Sequence, residues 1–265
     1  MFLHIASLSD CQPQDVCLNF SKSSKRIWAS SRVLTKASPF FRSLLSSGFA
    51  EGSGSTMTAH PVNPHFPYTF DDSDAEDDGK PEEETAKKTN IPVPSGVKVV
   101  NVTDTAHSTY FAVLVWISTE VIEFAPIRST FYKEIGNSDT AQARAARTAA
   151  VKALRDRPQT EEFTVASPRS VYRLAHLLEL HDLAKLALEN YAHQLTISGV
   201  LYELFSDVSY SYPDVQELVL NYVVKNWENA KKTKSWKVIQ ARAGCEGAPR
   251  DAGIVAMKLA GRLPR

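Results

Sequence analysis

The sequence predicts an α+β fold: a small β-sheet flanked by a helical cluster, continued by an all-α C-terminal extension. Three observations carry it. Residues 15–20 alternate, with Val16, Leu18 and Phe20 facing one way and Asp15, Cys17 and Asn19 the other, the pattern of a half-buried strand. A polar KSSK turn and an extended Arg-Ile-Trp-Ala run follow at once, which makes a hairpin. Beyond residue 167 the apolar residues recur at helical spacing almost to the end of the chain.

Two short helices come after the hairpin. Ser30 or Ser31 can cap the first, which carries Val33, Leu34 and Ala37. Ser38-Pro39 starts the second, with serine as N-cap and proline at the first helical position. Phe40, Phe41, Leu44 and Leu45 supply its apolar face, and Gly48 ends it. Composition then changes. Residues 52–96 are rich in Gly, Ser, Thr and Pro, and residues 71–88 hold nine acids against three lysines. Too little apolar surface is present to offset ordering entropy, so this stretch is expected to be a disordered acidic insertion. It lacks the Gly turn and distal Glu of an EF-hand loop, and a solvated spacer is the plain reading of Ser73 among its acids.

Order resumes at Val97. Val97, Val99, Val100 and Val102 make a strand, Asp104 and Thr105 a helix cap, and residues 107–118 a helix whose apolar surface is broader than one stripe. Residues 121–124 form a short strand stopped by Ala125-Pro126. Within a second insertion, 128–166, residues 138–157 are Ala-rich and basic. They predict an exposed or marginal helix that is solvated, docked on an acidic partner or folded back on the acidic insertion. Ser167-Pro168 starts a pair of amphipathic helices through Val171, Leu174, Ala175 and Leu178, then Leu183, Leu186, Ala187, Tyr191 and Leu195, with Asp182 capping the second. Helices over 200–206 and 213–229, joined by a turn at 209–212, lead to a last short helix near 254–263.

The order and spacing of these residues resemble a BTB/POZ domain. Its opening pattern is met by Asp15, Val16, Leu18, Ala29, Val33, Leu34, Ser38, Phe41, Leu44, Leu45, Phe49 and Glu51, with Ser30 where the family has His. Asp104, Phe111, Leu114, Trp116, Ile117 and Thr119 resemble its third helix, with Ser118 and Glu120 replacing Tyr and Gly. The resemblance implies a leader at 1–14, a BTB/POZ domain over 15–197 carrying both insertions, and a BACK-like helical extension over 198–265. The combination is similar to BTB proteins abundant in filamentous fungi. In that family the first strand and first helix self-associate, which makes Val16, Leu18, Val33 and Leu34 the candidate dimer interface. Phe49-Ala50-Glu51 matches the family's hydrophobic-x-Glu contact for a cullin-three scaffold, and Ser118 falls in the other expected cullin contact.

What the resemblance implies is a dimerising adaptor that recruits a substrate to a cullin-RING ubiquitin ligase. The alternative is a homotypic or transcription-associated scaffold with no ligase role. The totals narrow the classes further. With 30 basic and 30 acidic residues in 265, net charge is zero, which disfavours a nucleic-acid partner. No apolar run is long enough for a bilayer span, and the N-terminus lacks a signal-peptide n-region. Cys11, Cys17 and Cys245 are odd in number and scattered, as expected of reduced thiols in an intracellular protein of the cytoplasm or nucleus. Neither a cofactor nor a metal is expected: phosphate-loop, dinucleotide and nucleophile-turn motifs are missing, and His176 and His181 are five apart, off a common helical face. An enzyme is the least supported class.

Overall fold

A computed structural model describes residues 14–20, 23, 25–46, 74, 96–133, 140–157, 165–243 and 252–263. Their architecture is mixed α+β, mostly helical, with a small sheet. The described residues form two compact units, one within 1–125 and 154–186, the other within 126–153 and 187–265. This division differs from the boundary expected at 197/198. Most of the stretch read as a second insertion belongs to the same unit as the tail helices.

In the first unit, β1 (Val16–Phe20) pairs antiparallel with β2 (Arg26–Ala29) and parallel with β3 (Lys98–Val102), in the order β2-β1-β3. The expected hairpin is present. The expected half-buried alternation is not, because Val16, Cys17 and Leu18 are all fully buried. A central strand covered on both faces has no solvent side for polar residues. Only Asn19 keeps partial exposure, and its amide donates to Asn101 Oδ1 across the parallel ladder at 2.9 Å.

Helix α1 (Ser31–Ala37) follows β2. Ser30 occupies its N-cap without a side-chain cap bond. Asp15 does the capping instead: its carboxylate accepts from Ser31 N at 2.7 Å and from Ser31 Oγ at 2.5 Å. Helix α2 (Pro39–Ser46) is capped by Ser38 as expected, whose Oγ accepts from Phe41 N at 3.3 Å and donates to Leu178 O at 2.7 Å. Helix α3 (His107–Thr119) buries residues on nearly every side, among them Thr109, Tyr110, Ala112, Val113 and Val115. Its N-cap is Ala106, not Asp104 or Thr105. The helix stops at Glu120, whose φ of 59° is the left-handed conformation usually given to glycine. Strands β4 (Glu123–Phe124) and β5 (Val165–Ala166) make a parallel two-stranded sheet.

Asp74 corrects the reading of the acidic insertion as wholly disordered. Only 1% exposed, it accepts from Thr109 Oγ1 at 2.9 Å and from the backbone N–H of Ser167 at 2.8 Å. Ser167 is the N-cap of helix α5 (Pro168–Leu177), so one residue of the acidic stretch closes the start of α5 against α3. The rest of that stretch before Gly96 lies outside the described residues.

Helix α4 (Thr140–Arg155) is not merely an exposed helix. Ala143, Arg147 and Val151, four residues apart, form a buried stripe, and Arg147 Nε donates to Pro126 O at 2.9 Å. Helix α6 (His181–Gln194) begins one residue before Asp182, which therefore sits in its first turn instead of capping it. Leu183, Ala187 and Tyr191 are buried as expected, whereas Leu186 is 40% exposed.

In the second unit, a 3₁₀ turn (Arg128–Lys133) packs near α7 (Val200–Leu204), with Tyr132 and Tyr202 rings 4.7 Å apart. The expected turn at 209–212 is mostly a helix, α8 (Asp207–Ser211), capped by Ser206 Oγ. The long helix expected over 213–229 is broken into α9 (Pro213–Lys225) and α10 (Trp227–Ala230). Helix α11 (Lys234–Ala243) brings Trp236 edge-on to Trp227, and α12 (Ala252–Arg262) is clamped by a two-pronged Arg262–Glu217 pair at 2.7 Å.

A candidate protein-docking cleft

Beside the first sheet lies an open apolar cleft of about 160 Å³. Its lining comes from Gln14, from residues 27–30 around the end of β2, from Val33 and Leu34 of α1, and from Phe111, Leu114, Val115, Ile117 and Ser118 of α3. Two local features bring these elements together. β2 is an edge strand, and the Asp15 cap starts α1 directly after it. On α3, positions 111, 114, 115 and 118 follow the spacing of one helix face. Ile27, Ala29, Leu34 and Val115 are buried and make the floor, while Trp28, Val33, Phe111, Leu114 and Ile117 stay half-buried as the walls.

Among the described residues that line this cleft there is no acid, base or thiol, and its apolar lining can exclude water from an apolar group. It is also smaller than the ~300–1,000 Å³ typical of small-molecule sites, which suits anchor side chains better than a whole metabolite. Among the described residues no group of three His, Cys, Asp or Glu could hold a metal ion. Burial pushes the Cys17 thiol up, more than the nearby Arg26 pulls it down, which leaves it a packing residue. No described helix is long and apolar enough to cross a membrane.

The cleft gathers three of the residues singled out in the sequence, Val33, Leu34 and Ser118. Leu34 is only 1% exposed, so Val33 is the residue of α1 that reaches the opening. Ser118 Oγ donates to Leu114 O at 3.1 Å, within its own helix. Val16 and Leu18 are not there. They are fully buried on the central strand and offer no side-chain surface to a partner. Phe49 and Glu51 lie outside the described residues. Sequence reasoning missed Gln14, Trp28, Phe111, Leu114 and Ile117 as a site. The one available signal was the apolar surface of α3, wider than a single core-facing stripe needs.

The Asp15 cap supports one wall of the cleft and yields a pH-dependent expectation. Burial acts to raise its carboxyl, but the hydrogen bonds from Ser31 and the charge of Lys98 outweigh that and hold it below its ordinary value. A depressed pKa stabilises the fold above the unfolded-state value and is lost as pH falls through the folded-state one. Asp15→Ala is therefore expected to cost about 1 kcal/mol at neutral pH. Urea titrations of both proteins at descending pH should show the gap closing below the ordinary carboxylate range. A gap that stays constant would rule the charge out.

No family model matches the chain, and no curated protein matches it.

Proposed function

We propose that the chain is a protein–protein interaction module of BTB-like architecture, an adaptor that receives a protein partner in the cleft between β2, α1 and α3. The observation that carries this reading is the cleft itself: a half-buried Trp28, Val33, Phe111, Leu114 and Ile117 around a buried apolar floor, with no acid, base or thiol among the described lining residues. Aromatic and aliphatic anchors in a concave apolar patch are the chemistry of interface hot spots. The element order supports the BTB-like part: a hairpin, two short helices, a third strand parallel to the first, a helix, then a helical pair.

On this reading the partner is a cullin-three scaffold, and the chain recruits a substrate to a cullin-RING ligase. A second reading, a homotypic scaffold without ligase chemistry, is favoured by one observation. Ser118 stands at a cullin-contact position, and its hydroxyl is engaged by Leu114 O within the helix. Purified cullin-three scaffold and sedimentation separate the two. The adaptor reading expects a complex at about micromolar concentration that weakens at least tenfold in Ile117→Glu. A monodisperse dimer with no cullin complex would remove the adaptor and leave the scaffold. A monomer that binds nothing would remove both.

A further inference from the structure

Resting on the reading of the cleft as a docking surface, we propose that its occupant is an apolar segment of a partner protein flanked by acidic residues. The residues that border the cleft are asymmetric in charge, and its α1 side is basic. From Val16 to Ser46 the chain carries Lys22, Lys25, Arg26, Arg32, Lys36 and Arg42 and not one acid. Three of these cations flank lining residues. Arg26 precedes Ile27 on β2, Arg32 precedes Val33 on α1, and Lys36 lies one helical turn beyond Val33. Arg32 and Lys36 are exposed and Arg26 is half-buried.

The other wall has the opposite sign. It is the C-terminal half of α3, where the helix presents its carbonyl end, followed by the exposed Glu120. Asp15, next to Gln14, has its carboxylate engaged by Ser31. A bound segment is therefore oriented. Its apolar side chains seat between Trp28 and the Phe111–Leu114–Ile117 face, and its acids lie over α1, away from Glu120. A second copy of this chain fits less well, because a two-fold contact through this wall sets the cations of one α1 against those of the other.

The test is fluorescence polarisation of the full chain with two labelled synthetic peptides that share Leu and Phe anchors, one flanked by Glu and the other by Lys. The Glu peptide should bind about tenfold more tightly at low salt, and the advantage should shrink as ionic strength rises. Arg32→Glu with Lys36→Glu, both exposed and expected to fold, should abolish the preference. Ile117→Glu should weaken both peptides. Equal affinities, or a preference that survives the α1 charge reversal, would overturn the proposal, as would binding of neither peptide. If the peptides fail while cullin binding or dimerisation still depends on Ile117, the docking surface stands and only its acidic partner is lost.

Discussion

Asp74→Ala should lower the unfolding free energy by about 2–5 kcal/mol, read as a shift of the urea midpoint at unchanged slope. The substitution removes the acceptor shared by Thr109 Oγ1 and the Ser167 N–H. Both donors lie in fully buried residues, so water does not readily replace the lost carboxylate. Both donors end on Asp74 Oδ2, so the single amide oxygen of Asp74→Asn can keep both bonds and only their charge assistance is lost, a smaller cost than that of alanine. Neighbouring acids such as Asp77 provide the control, since an Asp77→Ala change within ~0.5 kcal/mol of the parent would separate the anchor from the charge of its surroundings. An Asp74→Ala protein as stable as the parent would mean that the acidic stretch does not hold α3 to α5.

Gly199→Ala is the second large effect, and its sign is the informative part. A Cβ at this position would run into Ser129 O and sit 2.8 Å from Ser129 Cβ. The carbonyl belongs to the backbone of the 3₁₀ turn and cannot swing away as a side chain could. The backbone at Gly199, φ −100° and ψ −23°, suits any residue, so conformational entropy alone would make alanine stabilising. Overpacking should reverse that and cost about 2–4 kcal/mol. Gly253→Ala in α12 meets nothing within 4 Å and should stabilise by about 0.5–1 kcal/mol. Thermal midpoints moving the same way in both variants would refute the close-approach argument.

How much of this was legible in the sequence depended on whether a feature was local. The hairpin, the Ser38-Pro39 and Ser167-Pro168 helix starts and, apart from Leu186, the buried face of α6 are written in neighbouring residues, and they appear where expected. The Asp15 cap joins residues sixteen apart and Asp74 meets Ser167 across 93, so neither has a local pattern to betray it. The buried stripe of α4 escaped notice because Ala143 and Arg147 carry no hydrophobic signal, although their spacing with Val151 is helical. Cys17 reads as the polar side of an alternation, and only the arrival of β3 makes β1 a central strand. The cleft depends on α3 meeting β2 and α1 in space, so it had no single stretch in which to be seen.

The parallel pairing of β1 with β3 also sets an order of events during synthesis. Asn19 and its partner Asn101 are separated by 82 residues, whereas the β2 side of β1 closes within a short turn. At ~5–20 residues per second the ribosome needs roughly 4–16 s to deliver the missing strand. Through that interval the nascent hairpin has an open edge beside Val16 and Leu18, the kind of template on which strands from other chains can add. Lys25 and Arg26, at the start of β2, are placed to repel a second copy during the wait.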